Sequence, residues 1–582
     1  MDAEYDLIVV GAGSAGMTAA IVAHTKGLRV LLLEKTRQVG GTSAVSGGAC
    51  WVPNNHFQKA QGVEDSVDRA MTYLDTVVGT DVGREQRGVY LRRAPEAVKY
   101  LEEVSELVMP ARPFTPDYSS DVDGAQNHGR VMVTRNFDGS LLGKRFNDLR
   151  PPYPENCLFG TAMVDGPDLA HLLNARRSIR SAWHAAKFIA HHAVDRLRHP
   201  GYRRGSRLTT GNAMVARLYK TILDRGIPLV FGANVADLLA EDGKVSGVVL
   251  DRPERMTVRA RFGVVLATGG FPANTALRRA HLQAPAGDNF TAASQDNTGD
   301  GIGLALARDA AFDTRNLNGA FWCPVSIGKR SDGSVVHFPH LIGDRPKPGL
   351  IAINRHGKRF TNESEPYHVF VQAMLTGDQL PAYLVCDTRF IRRFPFGITR
   401  PFPFSLRRHK ASGYLLSGRT IEELAQAIGV DTSTLRTTVD RFNDDSRRGV
   451  DREFGRGSTI YQRNLGAPDI KPNPSLAPLE RGPFYAIRIE PGDIGTIHGL
   501  ATDADSRVLD GSGNVIEGLY ACGNDRASVM GGAYPAGGIT LGPSLTFAYL
   551  AALDAARKAG NLVAKSPRED TETEDTETRE RA

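Results

Sequence analysis

The chain has no Cys-x-x-Cys pair: its five cysteines, Cys50, Cys157, Cys323, Cys386 and Cys522, are odd in number and widely scattered. That spacing argues against a disulfide framework or a zinc site and fits a reducing compartment. No uninterrupted apolar run reaches about 18 residues, so no membrane-spanning helix is expected. Strand-like residues begin at Tyr5, which leaves no room for the charged leader and apolar core of a signal peptide, and the expected location is the cytoplasm. Charge of one sign is not in large excess either, since 71 Lys and Arg face 65 Asp and Glu for a net +6. This permits attraction to anionic surfaces without requiring a nucleic-acid partner, and none is expected. The adjacent His191 and His192 point in different directions on a helix and have no third ligand in view, so no metal site is expected.

What is present exceeds one core. At 582 residues the chain is longer than the usual single-core limit of about 250 to 300 residues, and 41% apolar with 23% charged residues is ordinary globular composition. Tyr5 to Val10 reads as an apolar strand, Ala15 to Lys26 as a helix, and Arg29 to Leu33 as a second strand ending at Glu34. Gly11-Ala-Gly-Ser-Ala-Gly16 lies between the first strand and the helix. Gly11 suits the tight turn, Gly13 a close approach to phosphate oxygens at a helix N-terminus, and Gly16 close helix-to-strand packing. Glu34, about 20 residues on, is placed to accept hydrogen bonds from ribose hydroxyls and to repel a 2′-phosphate.

Further along, Asn212 to Arg225 reads as a helix and Pro228 to Phe231 as a strand. Lys244 to Leu250 and Met256 to Ala260 read as sheet additions before a buried strand, Gly263 to Ala267, that ends in Ala267-Thr-Gly-Gly270. From Phe321 to Pro491 the pattern is mixed and loop-rich. Ile516 to Cys522 restores a buried strand, followed by the glycine segment Ser528 to Pro543 and a helix, Ser544 to Ala556. The expected fold is α/β with an α+β second domain: a discontinuous Rossmann-like dinucleotide-binding domain, 1–320 and 493–565, into which a catalytic domain, 321–492, is inserted. The tail 566–582 repeats Thr, Glu and Asp without an apolar anchor and is expected to be disordered.

Spacing selects the dinucleotide. Gly40 to Gly48, rich in glycine and hydroxyl groups, is suited to run an extended backbone along a long dinucleotide and under an isoalloxazine ring, which favours FAD over a nicotinamide. No second Gly-x-Gly-x-x-Gly follows a strand, so electrons are expected to leave to an external acceptor. The segment Ser528 to Pro543 brings amide donors and Tyr534 to the place where ring and substrate would meet.

On these residues the chain resembles the fumarate reductase and succinate dehydrogenase flavoproteins, and within them the 3-ketosteroid Δ1-dehydrogenases. The pieces similar to the steroid group are Gly40 to Asn55, Pro116-Asp-Tyr118, Gly357 to Tyr367 and Met530 to Phe547. Lys35 to Asn55 contains no histidine for covalent attachment, so the implied FAD is non-covalent. The resemblance implies cofactor contacts from Gly11, Gly13, Ser14, Ala15, Gly16, Glu34 and Lys35, and from Gly41, Thr42, Ser43, Ser46, Gly47 and Gly48. It implies further contacts from Val235, Ala267, Thr268, Gly269, Asp300, Gly523, Asn524, Gly538, Thr540 and Leu541. It also implies that Tyr367 abstracts the proton from carbon 2 of a 3-ketosteroid, that Tyr118 hydrogen-bonds to Tyr367, and that Tyr534 with the Gly538 amide holds the carbon 3 oxygen. The alternatives are a smaller cyclic ketone, or reduction of an activated double bond as in fumarate reductase, for which Arg130 and Arg359 are candidate carboxylate binders. Trp51, Asn55 and Asn362 are expected to be structural.

The stretch 151–207 reads as a basic insertion. Ile179, Trp183, Ala186, Ala190, Val194 and Leu197 approximate one helical face, flanked by arginines that include Arg176, Arg180 and Arg198. Within 171–207 this pattern suits a membrane surface, a cover for the enzyme's own core, or a subunit contact.

Overall fold

The computed structural model describes residues 3–560 except 253–254, 284, 286, 317 and 404, so the expected disordered tail lies outside the described residues. Two six-stranded sheets organise the chain. In the first the order is Leu229–Phe231, Val30–Glu34, Leu7–Val10, Val264–Leu266, Val515–Ala521 and Arg507–Leu509. The first five strands run parallel and the last antiparallel. Parallel strands are covered on both faces and so read as unbroken apolar runs, and Leu7–Val10 is buried at every position. The helix Ser14–Thr25, buried from Ser14 to Ala23, packs against the helix Leu541–Lys558. Residues from opposite ends of the chain thereby meet at the carboxyl ends of the two strands that flank Val264–Leu266, where open α/β sheets bind ligands.

The expected strand Tyr5 to Val10 is two strands in different sheets. Ala3–Tyr5 pairs with Met256–Ala260 in a four-stranded sheet, while Leu7–Val10 is central to the first six-stranded sheet. Asp6 makes the switch: its carboxylate accepts from the Arg29 amide at 2.7 Å and pairs with Arg261. Asn234–Glu241, which the sequence pattern does not signal, joins the four-stranded sheet through a pairing broken by three register shifts. The last helix starts at Leu541 rather than Ser544, because Pro543 in a first turn forfeits no hydrogen bond.

The second six-stranded sheet is antiparallel throughout. It runs Val335–Pro339, Ala320–Lys329, Phe484–Thr496, Ala382–Asp387 and Leu350–Ile353, with Leu416–Gly418 on Phe484–Thr496. The stretch that reads as loop-rich is therefore held by long strands from distant segments, inserted before the strand Val515–Ala521. The 151–207 stretch carries the helices Gly166–Asn174 and Ile179–Arg198. Its apolar stripe faces away from the protein body: Ile179, Trp183 and Leu197 are 92%, 72% and 81% exposed, while Ser181 and Ala185 face inward. It does not cover the chain's own core.

Candidate active site

One cavity of about 600 Å³ takes its walls from both ends of the chain and from the antiparallel second domain. Every expected cofactor contact lines it except Gly16. Gly16 lies beneath, where an added Cβ would stand 1.8 Å from the Gly11 carbonyl oxygen, as its packing role requires. Gly13 and Gly47 differ. A Cβ on Gly13 would come no nearer the protein than 4.0 Å, and on Gly47 would meet nothing within 4 Å. The space above them is open cavity, the cradle a bound dinucleotide would fill.

The rest of the cradle is polar and preformed. Glu34 accepts from the Ala12 and Thr36 amides, each at 2.9 Å. Ser14 Oγ lies 2.8 Å from Ser43 Oγ, and Lys35 Nζ lies 2.7 Å from Asp300 Oδ2. Gly13 caps the helix Ser14–Thr25 with no side-chain hydrogen bond; the Ser14 amide donates to Ser43 Oγ at 3.3 Å, and the amides that follow it in the first turn are left for a ligand's anionic group. One expectation is corrected: Gly41–Val45 forms a 3₁₀ turn, not an extended run, closed by the Ala44 amide on the Gly40 carbonyl, and extended backbone begins only at Ser46.

The opposite wall is aromatic. The Tyr118 hydroxyl donates to the Tyr367 hydroxyl at 3.2 Å. The Tyr534 ring stands edge-on to Tyr367 with centroids 4.9 Å apart, and stacks on Tyr118 at 5.9 Å and 12°. Residues far apart in the chain meet here because each is tied to the glycine segment. The Tyr118 amide donates to the Pro535 carbonyl at 3.0 Å. Tyr367 opens the helix Tyr367–Leu375, and the next residue, His368, bonds through Nε2 to the Gly532 carbonyl at 2.9 Å. Gly538 sits so close to Ala49 that a Cβ would lie 2.8 Å from its carbonyl oxygen. Its own carbonyl accepts from the Trp51 amide.

Burial sets the electrostatics. It pushes the phenols of Tyr118, Tyr367 and Tyr534 above the ordinary tyrosine range, so all three are neutral at neutral pH. It pushes His368 down to about 4. Neutral His368 donates from Nε2, and its Nδ1 accepts from the Trp322 amide at 3.2 Å.

Arg130 and Arg359, the candidate carboxylate binders, are spent on internal carboxylates. Arg130 pairs with Asp65 and Asp117, both at 2.7 Å, and Arg359 with Glu363 and Asp451 at 2.8 and 2.9 Å; all are buried. Neither arginine lines the cavity. Trp51 donates to Asp117 at 2.8 Å, Asn55 caps the helix His56–Ala60, and Asn362 braces the turn before Tyr367. Sequence reasoning missed Tyr461, which lines the cavity with its ring 4.8 Å from Tyr118 and its buried hydroxyl unpartnered among the described residues. It also missed His368, and Asp525, whose carboxylate gathers the Thr268 and Gly270 amides behind the cradle. None of the three stands in a glycine-rich stretch, the only local signal the site offers.

The cradle and the aromatic wall together define an FAD-dependent oxidoreductase. A family model described as FAD binding domain matches residues 6–541, and the chain belongs to that family. A 4-oxocyclohex-2-ene-1-carboxylate 5-dehydrogenase of Sinomonas cyclohexanicum is 36% identical over 562 residues, 95% of this chain and 94% of its own. A 3-oxosteroid 1-dehydrogenase of Mycolicibacterium smegmatis is 36% identical over 573 residues, 96% and 98% of the two chains. The crystal structure of 3-ketosteroid delta1-dehydrogenase from Sterolibacterium denitrificans in complex with 1,4-androstadiene-3,17-dione matches with a TM-score of 0.89 and 37% identity, covering 95% of this chain and all of that one.

Proposed function

We propose that the protein removes two hydrogens from adjacent ring carbons of a cyclic ketone, and that its substrate is a 3-ketosteroid desaturated between carbons 1 and 2. The observation that carries this reading is the three-tyrosine constellation facing the cradle, with Tyr118 donating to Tyr367 and Tyr534 edge-on to Tyr367 and stacked on Tyr118. Tyr367, its own hydroxyl proton first released to solvent, takes the α-proton as the phenolate. Tyr118 donates to the oxygen that becomes phenolate. Tyr534 and the Gly538 amide hold the ketone oxygen as it gains enolate character, which acidifies the proton being removed. Since burial disfavours a free phenolate, deprotonation depends on these donors rather than on a standing charge. The residues of the cradle would hold FAD non-covalently, and the bound cofactor would supply the two-electron acceptor for the hydride, its electrons passing to an external acceptor.

Anaerobic mixing tests the reading. A saturated 3-ketosteroid bleaches the oxidised flavin within the turnover time; bleaching by 4-oxocyclohexanecarboxylate but not by the steroid assigns the smaller ketone named for the Sinomonas enzymes. Reoxidation of the reduced flavin by fumarate, with no bleaching by either ketone, rejects dehydrogenation. The internal pairing of Arg130 and Arg359 disfavours that outcome.

Among the described residues no helix is long and apolar enough to cross a membrane. We propose peripheral contact instead through the exposed stripe of Ile179–Arg198, its arginines meeting anionic headgroups. Sedimentation with anionic liposomes checks this, and binding unchanged on deletion of 171–207 rejects it.

A further inference from the structure

Beside the cofactor cavity lies a second one, of about 620 Å³, walled by the first sheet's loops, the 151–207 insertion and the strand Val335–Pro339. The two cavities share Val45, Arg150, Tyr153, Ser294 and Asp296. The second is cationic, with four arginines in its lining. Two are neutralised within the protein. Arg150 pairs with Asp296, and Arg330 is gripped by both oxygens of Glu155, at 2.7 and 3.0 Å.

The other two have no carboxylate within ion-pairing distance among the described residues. Arg203 is exposed at the rim. Arg204 is 5% exposed, donates from Nη2 to the neutral Asn212 side chain at 3.0 Å, lies over the Phe146 ring at 4.6 Å, and leaves Nε without a partner among the described residues. Burial pushes it down to about 10, the mark of a cation desolvated without a counter-charge. A buried guanidinium in that state is costly unless an anion completes it.

We infer that this second cavity is the docking site of the external electron acceptor, a small anionic redox molecule whose charge is taken by Arg203 and Arg204. The shared wall of Val45, Tyr153 and Ser294 puts such a molecule next to the cofactor's cavity without entry through the ketone's side. This rests on the flavin reading above and not on which ketone is oxidised. Electrons and protons balance: reduced FAD gives up two electrons and two protons, and the acceptor gains both.

The probe is dichlorophenolindophenol, an anion at neutral pH that becomes its colourless leuco form by that transfer. Equilibrium dialysis against oxidised holoenzyme measures its binding without turnover. Arg203→Glu weakens binding at least about tenfold, and added salt weakens binding to the unaltered protein. Stopped-flow reoxidation of photoreduced holoenzyme then slows for the dye in Arg203→Glu and Arg204→Gln, while reoxidation by the neutral quinone menadione and flavin bleaching by ketone keep their rates. Unchanged dye binding in Arg203→Glu, whose side chain is exposed, overturns the inference. Equal slowing with both acceptors, or competition between dye and ketone for one site, does the same. Photoreduction needs no ketone, so acceptor docking is measurable even in a protein that desaturates none of the ketones tried.

Discussion

The two walls of the active-site cavity are built from different materials. The cradle is largely backbone, contributed by short glycine-rich stretches that each follow a strand, and its function is to keep side chains out of the way. The aromatic wall is made of side chains from positions 118, 367, 461 and 534: residues 118 and 368 are tied to the Pro535 and Gly532 carbonyls, and the Tyr461 amide donates to Ser120 Oγ. A backbone cradle is specified locally, by residue type and spacing. A side-chain constellation is specified by tethers, which belong to the fold. The sharpest way to separate the walls is to disable one and keep the other.

Tyr367→Phe is expected to do so with the largest effect. Loss of a positioned base costs about 10²- to 10⁴-fold in rate, here in flavin bleaching by ketone, while the visible spectrum of bound flavin stays as it is. Bleaching at a rate near that of the unaltered protein would remove Tyr367 from the mechanism.

The second break falls within the cradle. Gly16→Val sets a Cβ on top of the Gly11 carbonyl, 1.8 Å away, so it is expected to yield protein with a lowered Tm and no flavin. In Gly47→Val the added Cβ meets no protein atom within 4 Å, and the variant is expected to leave the apoprotein as stable as before, with FAD affinity reduced at least about tenfold. Flavin content after dialysis and thermal melts of the apoprotein read the two effects separately. Equal melts and equal flavin content in the two variants would dissolve the distinction between a packing glycine and a ligand-facing one.

That distinction also marks how far the sequence is legible. Gly11, Gly13, Gly16 and Glu34 are readable because a strand, a turn and a helix follow one another within 30 residues, and each residue answers a local steric or polar demand. The alternation that identifies strands fails for Asn234–Glu241, whose register shifts scramble inward and outward positions, so Val235 is placed only by resemblance. The antiparallel second sheet escapes detection because its long strand Phe484–Thr496 finds partners far away in the chain. Tyr461 has only a helix N-cap, Thr459, beside it, and no local pattern tells a tyrosine in a cavity from one in a core.

Tyr118→Phe tests the tether half of the comparison with a smaller effect. The backbone bond from residue 118 to Pro535 survives the change, so the wall keeps its shape and only the donor to Tyr367 is lost. A single charge-assisted hydrogen bond is worth about 1.5 to 3 kcal/mol, so kcat is expected to fall about ten- to a hundredfold, with KM nearly unchanged. A rise in KM at constant kcat would instead make Tyr118 a binding residue.

His368→Gln has the least expected effect on activity at neutral pH, because glutamine offers a donor and an acceptor in place of Nε2 and Nδ1. Its effect lies in acid. Burial lowers the folded pKa of His368 from 6.5 to about 4, so the native state binds fewer protons than the unfolded chain in that window. The neutral ring's contribution is complete above pH 6.5 and is lost as pH falls toward 4. At about 1.4 kcal/mol per pH unit the loss approaches about 3 kcal/mol as an upper bound. Denaturant melts between pH 7 and 4 are therefore expected to fall more steeply in the unaltered protein than in His368→Gln. Parallel curves would show that the tether between the Tyr367 helix and the Gly532 carbonyl does not depend on a neutral imidazole.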